Sequence, residues 1–143
     1  MLLNSTDKMI KVVKAPIRID FGGGTTDIAA FAHRFGGAVL NAAINRYVQG
    51  KLIATKEKTI LSYSDNVPTS SGLGTSGAMN VVWLSLVSKL NDRKIIADTV
   101  FDIEKAMHVV GGKQDQYAAT FGGINLWEFK KDKVFRKEVK LRK

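Results

Sequence analysis

The sequence predicts an α+β domain in which helices pack on one β-sheet. Three observations predict this class. Strand-like segments follow one another between residues 11 and 64, and helical patterns dominate between residues 78 and 121. The composition, with 45% hydrophobic and 24% charged residues in 143, is typical of one globular domain. We therefore expect residues 1–143 to form a single domain.

The first half of the chain is strand-rich and contains one short helix. The glycine triplet at residues 22–24 forces a turn, and Gly36 with Gly37 ends a helix predicted over Ile28–Phe35. A hairpin turn is expected at residues 56–58. The predicted strands are Lys11–Phe21, Ala38–Tyr47, Val48–Thr55 and Thr59–Ser64.

The second half of the chain is mostly helical. The segment Ala78–Leu90 is apolar nearly all round, which predicts a buried central helix. Apolar residues at steps of three and four predict an amphipathic helix over Ile96–Val110, and a short helix follows over Lys113–Phe121. Two strands, Ile124–Phe129 and Val134–Val139, complete the prediction.

Composition excludes several classes of site. The chain has no cysteine, which rules out disulfides, thiolate zinc sites and cysteine nucleophiles, and its two histidines are far apart. The net charge of +9 favours anionic ligands, although the basic residues crowded between 130 and 143 are interpreted as a solvated strand or tail. We find no signal peptide or membrane-spanning run and expect a cytoplasmic protein.

A glycine- and hydroxyl-rich stretch, Pro68–Asn80, precedes the central helix. Gly72, Gly74 and Gly77 allow backbone amides to converge, and a helix N-terminus adds partial positive charge, so the stretch could cradle a phosphate. It could equally be a serine-rich cap of the helix. A Walker motif is absent. The stretch matches the dinucleotide fingerprint literally, but Pro68–Ser71 separates it from the preceding strand.

Four charged residues complete the parts that phosphoryl transfer requires. Glu104 falls within the apolar stripe of its helix, where a carboxylate is costly unless it is paired or binds a cation. Asp115 opens the third helix and could serve only the helix dipole, while Asp27 could be only a cap and Arg18 only an edge cation. Together, a phosphate cradle, hydroxyls, carboxylates and an arginine suit phosphoryl transfer with Mg²⁺.

Three ordered motifs in this sequence resemble those of the GHMP small-molecule kinases, a superfamily that includes galactokinase, homoserine kinase and mevalonate kinase. The forms of the first and third motifs are most similar to the sugar-kinase branch, which includes D-glycero-D-manno-heptose 7-phosphate kinase. The resemblance spans about residues 13–128. The motifs are Ala15-Pro-Ile-Arg18 with Gly22-Gly-Gly-Thr-Thr-Asp27, then Pro68-Thr-Ser-Ser-Gly-Leu-Gly-Thr-Ser-Gly77, then Gly112-Lys-Gln-Asp-Gln-Tyr117 with Gly122-Gly123.

The resemblance implies a fold similar to domain 2 of ribosomal protein S5. In that fold helices pack on one mixed sheet, and a βαβ unit has an unusual left hand. Family members continue into a ferredoxin-like C-terminal domain, and we expect residues 1–143 to correspond to the N-terminal domain alone. The resemblance therefore implies a GHMP kinase N-terminal domain that is a fragment, half of a split kinase or a truncated product.

The resemblance also implies ATP and Mg²⁺ as cofactors. Thr75 or Ser76 would contribute a hydroxyl to Mg²⁺, and Glu104 matches the acidic Mg²⁺ ligand. The residues implied to surround the ATP phosphates are Ser70, Ser71, Gly72, Leu73, Gly74, Thr75 and Ser76.

The acceptor side of the site is implied in the same way. Asp115 matches the catalytic carboxylate and Arg18 the basic residue near the reacting hydroxyl. Asp27, with Gly24 beside it, matches the residues that bind the hydroxyls of the substrate. The implied substrate is a sugar or sugar phosphate similar to heptose 7-phosphate.

The main alternative is a non-catalytic basic module with an S5-like fold that binds nucleic acid or a protein partner, although we regard a nucleic-acid ligand as the weaker expectation. A homodimer or a separate chain carrying the C-terminal half is expected as a partner, because an undocked domain exposes apolar surface.

Overall fold

The structure is a computed structural model that describes residues 8–68 and 71–142. Within these residues five strands form one sheet. The strands are β1 (Met9–Gly22), β2 (Gly37–Ala54), β3 (Thr59–Asp65), β4 (Ile124–Lys130) and β5 (Lys133–Glu138). The helices are α1 (Ala29–Phe35), α2 (Thr75–Val87), α3 (Arg93–Ala106) and α4 (Gln114–Phe121).

Strand β2 is the centre of the sheet. It pairs with β1 along one edge, while its other edge pairs first with β4 and then with β3. Strand β5 extends the sheet beyond β4. All four pairings are antiparallel, so β3 and β4 run in the same direction along one edge of β2. The α+β class, with helices on one sheet, is confirmed. The hand of the βαβ unit stays a prediction.

The two strands predicted over residues 38–55 form one continuous strand, so this part of the prediction is wrong. The register with β1 shifts between the pairs Pro16–Tyr47 and Arg18–Ala43, and β2 accommodates the extra residues without a turn. No glycine, proline or aspartate interrupts residues 43–48 of the sequence. A bulge bends the strand there and keeps its pairing with β1.

Helices α2 and α3 both begin and end three or four residues earlier than predicted. Helix α2 begins at Thr75 rather than Ala78, after Gly74 in the left-handed conformation with φ of +72°. Helix α3 ends at Ala106 rather than Val110. The chain turns at His108, with φ of +60°, and the amide of Val109 donates to the carbonyl oxygen of Glu104 at 2.9 Å. These contacts satisfy carbonyls at the helix end.

The core consists of two clusters of buried side chains. The first lies between the sheet and α2 and α3, and the second joins α3 and α4 to β4. Val82 on α2 is fully buried, which confirms the buried central helix. In the second cluster the indole Nε1 of Trp127 donates to Oδ1 of Asn41 at 3.0 Å. The rings of Tyr117 and Phe121 on α4 lie edge-on to Trp127, with centroids 5.3 and 5.6 Å away, and pack this helix against the sheet.

Helix α3 is tied to the start of α4 by the carboxylate of Asp98. It accepts hydrogen bonds from Lys94 at 2.6 Å, from the Tyr117 hydroxyl at 2.8 Å and from Lys113 at 3.3 Å. Burial acts to raise the pKa of Asp98, but the Lys94 and Tyr117 hydrogen bonds and the lysine charges lower it overall. Burial and the bond to Asp98 raise the pKa of Tyr117. No helix in the described residues is long and apolar enough to cross a membrane.

We predict that Asp98→Asn lowers the free energy of unfolding by about 1–2 kcal/mol at neutral pH, because three donors lose a charged acceptor. The lowered pKa means that the stabilisation is present above the ordinary value of 3.8 and is lost as the pH falls below it. Urea unfolding of both proteins between pH 7 and pH 3 should therefore show a difference that shrinks in acid. Asp102→Asn, an exposed carboxylate on the same helix, is the control and should change stability by less than about 0.5 kcal/mol. A difference that is constant with pH would contradict this prediction.

Candidate active site

The guanidinium of Arg18 joins strand β1, the glycine loop and helix α4. Its Nη2 and Nε lie 2.7 and 2.9 Å from Oδ1 of Asp115, and its Nη1 donates to the carbonyl oxygen of Gly72 at 2.6 Å. The backbone amide of Arg18 donates to the carbonyl oxygen of Leu73 at 3.0 Å. The Arg18 side chain is 12% exposed and that of Asp115 31% exposed. This arrangement places the Asp115 carboxylate next to the glycine loop.

The glycine loop and the start of α2 form a cleft of about 330 Å³ beside this ion pair. Gly72 and Gly74 both have positive φ, a conformation that turns successive amides toward one side. Six consecutive loop residues line the cleft together with Arg18 and Asp115. They are Ser71, Gly72, Leu73, Gly74, Thr75 and Ser76.

Helix α4 crosses directly over the N-terminus of α2. A Cβ added to Gly77 would lie 2.8 Å from Cβ of Asp115, and one added to Gly74 would lie 3.3 Å from Cγ of Asp115. Side chains at these positions would therefore push the carboxylate away from the loop. The close approach explains the glycine at residue 77, which sequence reasoning assigned only to amide convergence.

A second cleft, of about 300 Å³, runs from Asp115 to Asp27 and Glu104, and Ser76 also lines it. Asp27 is 5% exposed, and its Oδ2 accepts the backbone amide of Gln114 at 2.9 Å. Burial raises the pKa of Asp27, and the Gln114 amide acts in the opposite direction. Asp27 thus caps α4, whereas its sequence position suggested a cap after the glycine triplet.

Glu104 is held by two neutral amides. Its Oε1 accepts from Nδ2 of Asn80 at 2.6 Å and its Oε2 accepts from Nε2 of Gln116 at 2.5 Å. These bonds meet the requirement, seen in the sequence, that a carboxylate in an apolar stripe be paired. Glu104 also lines an apolar cleft of about 350 Å³ between α2, α3 and β3. That cleft presents the side chains of Tyr63, Met79, Trp83, Ile103 and Met107.

The structure brings together most of the residues that the sequence singled out. Arg18, Asp115, Thr75 and Ser76 share one cleft, and Asp27 and Glu104 join Asp115 in the next. Gly24 lies against Asp20 and Gln114, because an added Cβ would be 2.2 Å from Oδ2 of Asp20 and 3.8 Å from Nε2 of Gln114. Ser70 lies outside the described residues.

Sequence reasoning missed three polar residues of the site, namely Asn80, Gln114 and Gln116. Gln114 and Gln116 flank Asp115, and this placement in a helix start was the available signal. Asn80 carried no signal, since a single amide on an apolar helix suggests no ligand. The basic C-terminal residues are partly structural, because Arg136 donates to Oδ1 of Asn125 at 2.7 Å and lies over the ring of Phe121.

Comparison with known proteins defines the class. The family model described as "GHMP kinases N terminal domain" matches residues 38–123 of the chain. A curated relative, D-glycero-alpha-D-manno-heptose 7-phosphate kinase from Campylobacter jejuni subsp. jejuni serotype O:2, is 30% identical over 176 residues. That match covers 84% of this chain and 51% of the relative. The chain belongs to the GHMP kinase N-terminal domain family, as the sequence motifs predicted.

Solved structures agree on the fold. A D-glycero-D-manno-heptose 1-phosphate kinase from Bacteroides thetaiotaomicron superposes with a TM-score of 0.82 at 24% identity, covering 94% of this chain and 61% of that one. The mevalonate kinase of Methanococcus jannaschii gives a TM-score of 0.65 at 14% identity, covering 96% and 57%. The chain thus spans between half and two thirds of the length of these relatives.

We predict that Gly77→Ala destabilises the protein, although alanine is usually the better helix former by about 1 kcal/mol. The new methyl group overlaps Asp115 and should cost about 1–3 kcal/mol as overpacking. Chemical denaturation measures the change. Gly111→Ala is the control, since an added Cβ there meets nothing within 4 Å. A Gly77→Ala protein more stable than the wild type would show that the contact is not tight.

Proposed function

We propose that this domain binds ATP with Mg²⁺ and supports transfer of the γ-phosphoryl group to a hydroxyl of a sugar phosphate of the heptose class. The observation that carries the proposal is the position of Asp115. Its carboxylate is held by Arg18 at 2.7 Å over the glycine loop at the start of α2. A carboxylate beside a phosphate cradle suits the orientation of an attacking hydroxyl. The curated heptose 7-phosphate kinase supports the substrate class.

The phosphate groups fit the first cleft. Loop amides near Gly72 and Gly74 and the N-terminus of α2 offer donors and partial positive charge to an anion. Arg18 contributes a full positive charge at the edge of this cleft. The transition state spreads negative charge over the transferred group, so donors fixed in advance stabilise it.

The residues present fit Mg²⁺. The cation prefers oxygen ligands and commonly takes one or two carboxylates, phosphate oxygens and waters. Glu104 and Ser76 line the same cleft, and Thr75 begins the same helix as Ser76. Within the described residues no group of three acidic or histidine side chains is arranged to hold a metal ion by itself, so phosphate oxygens and waters would have to complete the ligand set. When bound, Mg²⁺ neutralises charge on the phosphates.

The base of the nucleotide fits the apolar cleft. This cleft adjoins the second cleft through Glu104 and carries exposed aromatic and thioether side chains, including Trp83 at 40% and Met79 at 42% exposure. Aromatic and apolar walls suit a flat heterocyclic ring. ATP would then extend from this cleft past Glu104 to the loop.

The acceptor would bind on the side of Asp27. Its buried carboxylate and Asp115 line one cleft, so one acid can accept a hydrogen bond from a substrate hydroxyl while the other orients the reacting hydroxyl. In the transfer, the acceptor oxygen bonds to the γ-phosphorus as the bond to the β-phosphate oxygen breaks. The hydroxyl proton passes toward Asp115, and ADP leaves.

We predict that Asp115→Asn lowers the rate of ADP formation with a heptose phosphate by about 10²–10⁴-fold, because the amide cannot take the proton. Nucleotide affinity should change much less than the rate, because the Oδ1 atom of asparagine can still accept from Arg18 and hold the loop. A coupled ADP assay over heptose phosphates, hexose phosphates and mevalonate measures the rate, and calorimetry measures binding. Asp102→Asn is the matched control on an exposed acid. Equal turnover by Asp115→Asn and the wild type would contradict the catalytic role, and a wild-type protein that binds no ATP would contradict the nucleotide site.

We also predict that ATP quenches the fluorescence of one of the two tryptophans. Trp83 lines the apolar cleft and is 40% exposed, whereas Trp127 is fully buried in the core. The nucleotide-dependent signal should disappear in Trp83→Phe and persist in the wild type. Quenching that remains in Trp83→Phe would place the base elsewhere.

A further inference from the structure

The carboxylate of Glu104 is the meeting point of three helices. Glu104 lies on α3, Asn80 on α2 and Gln116 on α4. Each carboxylate oxygen accepts one amide hydrogen bond, from Asn80 at 2.6 Å and from Gln116 at 2.5 Å. Because an ionised carboxylate has about four lone-pair positions, each oxygen keeps a free position after these bonds.

The chemical identity of the two donors matters. Lysine or arginine in their place would cancel the charge of Glu104 and compete with a cation for it. Amide groups orient the carboxylate without adding positive charge. Asn80 and Gln116 therefore leave the full negative charge of Glu104 available toward the cleft.

Packing alone does not account for Gln116. The residue is 2% exposed, and its Oε1 is buried without a hydrogen-bond partner in the described part of the chain. A buried polar atom left unpaired costs about 1–3 kcal/mol, so an apolar residue of the same length would suit a purely structural position better. The bond from Nε2 to Glu104 is what glutamine provides there.

The position of Gln116 in the first turn of α4 connects Glu104 to the other residues of the site. It directly follows Asp115, and the amide of Gln114 is bound by Asp27. The first turn of α4 thus holds Asp27, Arg18 and Glu104 through three consecutive residues. A displacement of this turn would therefore move three parts of the site together, namely Asp27 on the acceptor side, Arg18 beside the glycine loop and Glu104 at the proposed cation site.

We infer that Gln116 and Asn80 are positioning residues that hold the Glu104 carboxylate for a divalent cation accompanying the nucleotide. The inference rests on the proposed function, which supplies the cation and the nucleotide. It goes further by assigning the geometry of the cation site to two neutral amides on separate helices.

The test measures cation binding rather than turnover. Electron paramagnetic resonance of Mn²⁺, titrated into protein saturated with the non-hydrolysable nucleotide AMP-PNP, gives the cation affinity. Gln116→Met keeps the side-chain length but has no donor, and we expect it to weaken Mn²⁺ binding by about 10–100-fold. Asn80→Ala, at a half-buried position, should weaken Mn²⁺ binding by a similar factor. It provides the test of the inference if Gln116→Met fails to fold. AMP-PNP affinity in EDTA should stay at the wild-type value for Gln116→Met, because Gln116 does not line the apolar cleft proposed for the base.

Two further variants separate the outcomes. Tyr117→Phe, at the neighbour of Gln116, also loses one partly buried hydrogen bond, but that bond goes to Asp98 rather than Glu104, so this variant should keep wild-type Mn²⁺ affinity. Glu104→Gln should weaken Mn²⁺ binding. Wild-type affinity in Gln116→Met or Asn80→Ala with a loss in Glu104→Gln would overturn only the positioning role. Wild-type affinity in Glu104→Gln would overturn the cation site itself and the inference with it. An equal loss in Tyr117→Phe would show that general helix packing, not positioning, is responsible.

Discussion

The geometry of the cleft depends on Arg18, whose side chain is 12% exposed and whose guanidinium is bound on two sides. A charge removed from water costs several kcal/mol unless it is paired in good geometry, and here Asp115 supplies the opposite charge. A further N–H group, on Nη1, donates to the carbonyl oxygen of Gly72, and the backbone amide of Arg18 donates to the carbonyl oxygen of Leu73. One side chain on β1 therefore fixes the loop and α4 relative to each other. Loss of either partner leaves a buried charge uncompensated and frees both elements to move.

Arg18 can reach α4 because the alternation of β1 changes at this point. Ala15 and Ile17 are buried against the helices, yet Arg18 and Asp20 also direct their side chains to residues of α4. The register shift opposite Ile17, where β2 carries extra residues, accounts for the change. In a regular strand, residues 17 and 18 would point to opposite faces of the sheet. The irregularity thus places an apolar core residue and a charged site residue side by side.

Sequence reasoning could reach the parts of this site that are encoded locally. Periodicity located the helices, and the glycines marked the loop. Glu104 stood out because a carboxylate conflicts with its apolar stripe. The partners of Glu104 could not be found this way, since Asn80 and Gln116 come together only when three helices pack. The merged strand β2 was missed for a related reason, because pairing with β1 across the bulge overrides a weak local signal. The residue types suited to the chemistry can be recognised in the sequence, but the hydrogen-bond and packing partners of each residue are set by the tertiary structure.

The cleft that contains Asp115 is open to solvent, and this exposure affects ATP binding and phosphoryl transfer differently. Loop amides, Arg18 and Glu104 are all contributed by this chain, so the contacts that we propose for ATP need no further surface. Acceleration of transfer depends more strongly on excluding water, because fixed charges interact more strongly with the transition state as the local dielectric constant falls. Here the Asp115 side chain is 31% exposed, and Val110 at the rim of the same cleft is 89% exposed. A surface that covered this apolar rim would bury Asp115 without altering the loop. We therefore expect nucleotide affinity to be a property of the loop and turnover to be a property of the covered cleft.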